Sequence, residues 1–155
     1  MPNPLLPKND LDAMRVALLA AKRAAVRGEV PVGAVLFCDG KQFFAYNLKE
    51  SRNDPTAHAE ILVLQKAAKK LSRWRLGGTL VVTLEPCAMC IGAILEARIA
   101  RLVFGATDPK AGACGSVHDI IGARKIRHAI AVTGGVLADL SSALLKDFFK
   151  TRRVG

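Results

Sequence analysis

The chain of 155 residues predicts an α/β fold: a mixed five-stranded sheet between helical layers, a three-layer α/β/α arrangement. Three observations carry that reading. Apolar residues recur at helical spacing in four segments. Short β-branched or aromatic runs lie between them, bounded by Gly, Pro, Asn and Asp. The resulting order, α-β-β-α-β-α-β-β-α, puts helices on both sides of a sheet that holds parallel and antiparallel neighbours.

The first helix begins at Asp10, a good capping residue, and runs to about Val26, where Gly28 ends it. Leu11, Met14, Ala17, Leu18 and Ala21 share its apolar face. Val30 to Cys38 reads as a buried strand, Asp39-Gly40 as a hairpin turn and Gln42 to Tyr46 as the returning strand. Asn47 to Thr56 is a polar loop. A helix follows from about Ala57 to Leu71, with Ile61, Leu64 and Ala68 on one face, and Gly77-Gly78 breaks the chain. Thr79 to Leu84 is a strand. Pro86 suits a helix start because its missing N–H would be unpaired there, and that helix reaches about Ala97. Arg101 to Gly105 is a strand, Ala106 to Ile126 an irregular stretch and Ala129 to Thr133 the last strand. Leu137 to Arg152 forms the closing helix, its apolar side built from Leu140, Leu144, Leu145, Phe148 and Phe149. No repeat divides the chain, so residues 1–155 form a single domain with a core of about 10–153.

Composition narrows the function. The hydrophobic fraction of 51% excludes a disordered chain. No run of about 18 apolar residues predicts a membrane span, and Met1 to Asp10 lacks a secretory layout, so a cytoplasmic protein is expected. Its four cysteines are then thiols or metal ligands, not disulfides. Lys and Arg number 23 against 13 Asp and Glu, a formal net charge of +10 and a pI near 9.9. Such a charge suits a polyanionic partner, although solubility alone could use it.

The most specific signal is His58-Ala59-Glu60 followed by Pro86-Cys87-Ala88-Met89-Cys90. His58, Cys87 and Cys90 can hold zinc tetrahedrally and leave the fourth position to water, the ligand count of a catalytic site. Both segments open helices, whose N-termini favour thiolate over thiol. Zinc lowers the pKa of such a water from about 15.7 to about 7. Glu60 stands where it can take that proton, hand it to a ring nitrogen and protonate a departing ammonia. His-x-Glu with Pro-Cys-x-x-Cys is the signature of zinc-dependent nucleobase deaminases.

Each residue alone has a plainer reading. His58 could cap a helix, and Glu60 could merely complement a helix dipole. Cys38 ends an apolar strand and reads as a small buried hydrophobe. Cys114 lies in a small-residue loop and is expected off the metal. His118 and His128 read as surface or packing residues, and Met89 as packing.

Taken together, the chain resembles the bacterial tRNA-specific adenosine deaminases, which share the cytidine deaminase-like fold. The likeness spans about Asp12 to Arg153. It rests on Glu29-Val30-Pro31-Val32-Gly33-Ala34-Val35, Asp54-Pro55-Thr56-Ala57-His58-Ala59-Glu60, Thr83-Leu84-Glu85-Pro86-Cys87-Ala88-Met89-Cys90, Val103-Phe104-Gly105-Ala106 and Asp147-Phe148-Phe149. The resemblance implies adenosine-to-inosine conversion at the wobble position of a tRNA anticodon stem-loop, with one zinc per chain, by a homodimer. It implies that Asn47 hydrogen-bonds the flipped nucleotide. Asp108 and Lys110 would meet flanking nucleotides, and Phe149, Arg152 and Arg153 would face the RNA from the last helix. Here too a plainer reading stands beside each: Asn47 as a turn residue, Phe149 as core, Arg152 as a helix-end cation. The dimer is expected to use Ile91 to Ile99 and the loop from Ala106 to Ser116. Two other functions compete: deamination of free guanine, cytosine or cytidine, and a catalytically silent RNA-binding subunit. Glu60 argues against the silent subunit, since a structural zinc site has no use for it.

Overall fold

A computed structural model describes residues 6–123 and 129–154, with the side chains of Arg153 and Val154 left out of account. The sheet forms first from pattern. In β1 (Gly33–Cys38), β3 (Thr79–Leu84) and β4 (Arg101–Ala106), alternate residues point to opposite faces. Register aligns Leu36 with Leu80 and Leu80 with Leu102, while Val35 faces Val81 and Val81 faces Val103. The leucine row packs under α2 (Ala59–Leu71) and α3 (Ala88–Glu96), and the valine row under α1 (Asp10–Val26) and α5 (Ala138–Val154). Two cores thus sit on the two faces of one sheet, as the three-layer expectation required.

The five strands run in the order β2-β1-β3-β4-β5, with β2 at Lys41–Tyr46 and β5 at Ala131–Thr133. β1 is antiparallel to both β2 and β3, whereas β3, β4 and β5 are parallel. The mixed sheet follows from the connections: a two-residue hairpin turn joins β1 to β2, and α3 crosses between β3 and β4. Gly33 lets α1 lie directly on β1, because a Cβ there would strike the backbone of Ala17 and Ala21.

Several boundaries differ from expectation for local reasons. Asn9, not Asp10, caps α1, accepting from the Asp12 N–H at 2.9 Å. Asp10 instead forms a two-pronged pair with Arg101, at 2.6 and 2.5 Å. β1 starts at Gly33 rather than Val30, since Val32 N–H turns back to the Val30 carbonyl. α2 starts at Ala59 after a turn in which Asp54 accepts from Thr56 N–H at 2.8 Å. Pro86 does not open α3; Cys87 is the N-cap and Pro86 precedes it. The irregular stretch contains a short α4 at Ile120–Ala123, and β5 begins at Ala131. Periodicity places Leu11, Leu140 and Phe149 on apolar faces, yet they are 48%, 53% and 45% exposed, beyond the reach of the sheet. Ile91, Ile94, Leu95 and Ile99 are buried in this chain's own core, so they cannot form a subunit contact as expected. The outward residues of α3 are Ala88, Met89 and Glu96, with Gly92 and Ala93 half-buried.

Candidate active site

Because α2 and α3 pack on the same sheet face, their N-termini meet. His58 caps α2 with φ −74° and ψ 152°, and Cys87 caps α3 with φ −77° and ψ 174°. These extended cap geometries turn both side chains toward the gap between the helices. Cys90 comes up from the first turn of α3. The Sγ atoms of Cys87 and Cys90 lie 3.7 and 3.6 Å from His58 Nδ1. All three donor atoms fall within 4.8 Å of one another. A tetrahedral zinc with Zn–S of about 2.3 Å and Zn–N of about 2.0–2.1 Å sets a sulfur–nitrogen edge of about 3.5–3.6 Å. The donor set therefore fits zinc in both chemistry and spacing.

The electrostatics agree with a metal-binding cluster. Hydrogen bonds from Cys90 and from His58 pull the Cys87 thiol down to about 3. The hydrogen bond to Cys87, reinforced by burial, pushes Cys90 up. The hydrogen bond to Cys87 also raises His58. Glu60, in the first turn of α2, is 4% exposed, and burial raises its carboxyl.

A pocket of about 200 Å³ opens over the cluster, below the roughly 300–1,000 Å³ usual for drug-sized ligands. His58, Glu60 and Cys87 line it, with Cys90 buried behind them. Asn47 and Asp108 also line it. The Asn47 side chain donates to the Val30 carbonyl at 3.2 Å and accepts from Lys49 N–H at 3.1 Å. One amide N–H and one lone pair stay available. Asp108 Oδ1 accepts from the N–H groups of Lys110 and Ala111 at 3.0 and 3.3 Å, tightening its own turn.

The remaining expected residues lie elsewhere. Lys110 is exposed and does not line the pocket. Phe149 and Arg152 sit on α5, which packs on the opposite sheet face. Arg152 donates to the Gly28 carbonyl at 2.5 Å and stacks 4.7 Å over Phe148, so it closes the end of α1, not its own helix. The Arg153 side chain and His128 fall outside the described residues. Cys38 is buried with its thiol 3.1 Å from the Leu76 carbonyl, as a small core residue. Cys114 is not in the donor cluster, and burial pushes its thiol up to about 12. His118 is exposed on the loop.

Two buried carboxylates without an assigned role shape the site. Glu85 is 2% exposed and accepts from the N–H groups of Asp108, Cys114 and Ser116 at 3.0, 2.9 and 3.2 Å. The Ser116 hydroxyl adds a further short bond. Gly112 is required there, because any Cβ would run into that carboxylate. Glu29 is buried and accepts from Glu50 N–H at 2.9 Å, Ser51 N–H at 2.7 Å and the Ser51 hydroxyl. Glu85 secures the loop carrying Asp108, and Glu29 the loop carrying Asn47 and Lys49. Both stand in segments that carry the family resemblance, but nothing local shows which distant loop each would hold.

Three metal donors with a buried carboxylate beside them, at the edge of a mixed sheet, define a zinc-dependent hydrolytic deaminase. Residues 7–106 match the cytidine and deoxycytidylate deaminase zinc-binding region. A tRNA-specific adenosine deaminase of Haemophilus influenzae is 50% identical over 147 residues, 93% of this chain and 85% of that protein. A solved tRNA:A34 deaminase, studied for A-to-I editing at the wobble position, superimposes with a TM-score of 0.81 at 44% identity, covering 86% of this chain and 99% of its own. The guanine deaminase of Nitrosomonas europaea shares the fold at a TM-score of 0.79 but only 25% identity, over 96% of this chain and 87% of its own. The chain belongs to the tRNA-specific adenosine deaminases of the zinc-binding cytidine deaminase family.

Proposed function

We propose that this chain hydrolyses adenosine to inosine at the wobble position of a tRNA anticodon. The observation that carries the reading is the meeting of three metal donors with buried Glu60 at the floor of one pocket. The 50% identity to a tRNA-specific adenosine deaminase supports the substrate. His58, Cys87 and Cys90 would hold one zinc per chain, with water as the fourth ligand. Zinc supplies Lewis acidity and brings the pKa of water to about 7. Glu60 would take one proton from the attacking water and deliver it to the ring nitrogen. Water oxygen adds to the carbon bearing the amine, Glu60 moves the proton of the newly formed hydroxyl to the amino group, and the carbon–nitrogen bond breaks to release ammonia and leave a carbonyl. Asn47, with its free N–H and lone pair, orients the flipped nucleotide. Asp108 and Lys110 meet its neighbours, and Phe149, Arg152 and Arg153 contact RNA farther out.

By the same resemblance the chain works as a cytoplasmic homodimer. The outward residues of α3 and the loop from Ala106 to Ser116 are the surface for that contact. No helix among the described residues is long and apolar enough to cross a membrane. The test incubates the zinc-loaded protein with an anticodon stem-loop bearing a wobble adenosine, and separately with guanine, cytosine and cytidine. Inosine in the RNA, with the free bases and cytidine unchanged, is expected. Turnover of guanine and none of RNA would overturn the assignment.

A further inference from the structure

A second cavity, of about 600 Å³, lies outside the active site, between the edge strand β2 and the outer faces of α1 and α2. Arg23, Arg52, Lys66 and Lys69 line it, and no carboxylate does. Among the described residues none of these four cations forms an ion pair; the pairs found are Arg15–Asp12, Arg73–Asp39 and Arg101–Asp10. Gathering four uncompensated cations in one groove costs free energy through mutual repulsion, unless a polyanion sits there.

The groove is also organised. Phe44, 38% exposed on β2, lines it. Lys66 Nζ stands 5.0 Å from the Phe44 ring centroid, and the Arg23 guanidinium 5.8 Å from it. An aromatic face held between cations from two helices restrains long side chains that would otherwise sweep freely. Lys66 also donates to the Phe44 carbonyl at 3.0 Å, which blunts the open edge of β2 against strand pairing and leaves two ammonium N–H groups for a ligand.

The groove adjoins the active site through one short segment. Asn47 and Lys49 line the catalytic pocket, while Tyr46, Leu48 and Arg52 line the groove. The loop between them is therefore a shared wall, anchored from beneath by Glu29. A backbone leaving the pocket over this wall enters the cationic groove.

We propose that this groove binds the phosphate backbone of the RNA substrate, on the outer side of the loop that carries Asn47. The proposal rests on the reading of the chain as an enzyme of tRNA. It adds a footprint that the zinc motif and α5 do not contain.

The test measures binding of an anticodon stem-loop with guanosine at the wobble position, which has no 6-amino group for the proposed reaction to remove, across several salt concentrations. The zinc-loaded protein is compared with the triple variant Arg52→Ala, Lys66→Ala, Lys69→Ala. Loss of each phosphate contact should flatten the log–log salt slope by roughly 0.7–0.9 and together weaken binding about tenfold or more near 0.1 M salt. With a wobble-adenosine stem-loop the variant should raise KM and keep kcat. The double variant Lys66→Gln, Lys69→Gln serves if the triple variant loses zinc or unfolds. Unchanged affinity and slope would overturn the proposal and leave the groove to an acidic protein partner. Salt-dependent binding that the variants lose, in a protein that forms no inosine, would uphold the groove and refute the deaminase reading instead.

Discussion

Glu85→Gln isolates the charge of a buried carboxylate from its shape. All four of its partners present donors: three backbone N–H groups and the Ser116 hydroxyl. A glutamine offers one oxygen and one NH2. If the NH2 replaces Oε2, the N–H groups of Cys114 and Ser116 both lose their acceptor. If it replaces Oε1, the Asp108 N–H loses its acceptor, while the Ser116 hydroxyl can rotate to accept. The second arrangement strands fewer groups and should prevail. One stranded buried N–H costs about 1–3 kcal/mol, and the surviving bonds lose their charge assistance, so a destabilisation of about 2–4 kcal/mol is expected. Urea unfolding of the zinc-loaded protein reads this directly. Amide exchange should rise first at Asp108, the group left unpaired. KM for the stem-loop should rise, since Asp108 and Ala111 line the pocket. A variant within about 0.5 kcal/mol of wild type, with unaltered exchange at Asp108, would refute the reasoning.

Glu60→Ala should abolish deamination while keeping one zinc per chain, a rate loss of at least about 10²–10⁴-fold read in single-turnover assays alongside metal analysis. Dialysis against a chelator should remove both zinc and activity, and stoichiometric zinc should restore activity; a fully active metal-free protein would contradict the donor set. Glu29 gives a pH signature. Burial alone would raise its carboxyl, but bonds from Ser51 and Glu50 outweigh this and hold it below the usual range. Its contribution is then complete above about pH 4.5, the unfolded value, and is lost as pH falls through the folded one. The stability difference between wild type and Glu29→Gln should accordingly be constant near neutrality and shrink in acid, as followed by urea midpoints at stepped pH.

The clustering of His58, Cys87 and Cys90 with Glu60 nearby was legible in the sequence because zinc chemistry demands particular residue types at short spacing. The leucine and valine rows were legible because strand alternation is local. Glu29 and Glu85 were not, since what buries them comes from partners 21–31 residues away. The same distance effect decided the cap of α1: Asn9 and Asp10 are equally good caps, and Arg101, 91 residues on, claims Asp10. Periodicity put Phe149 and Leu140 on the apolar side of α5 but could not say how wide a stripe the sheet would cover. The cationic groove was hidden for another reason. The sequence carries its net charge as scattered Lys and Arg, and only the packing of α1, α2 and the loop between β2 and α2 gathers four of them.

The caps of α2 and α3 carry a consequence for the life of the protein. Neither His58 nor Cys87 makes the side-chain hydrogen bond that normally closes a helix start. With a metal bound, both cap residues would be its ligands, so one ion would fasten the first turns of two helices. A newly made chain that has not met zinc would fray at Ala59 and Ala88, where a protease finds extended backbone. Loading the ion at a thousand times its dissociation constant would stabilise the native state by about 4.1 kcal/mol. Zinc supply would thereby govern how many copies persist, and chains that survive turnover would be chiefly those equipped to work.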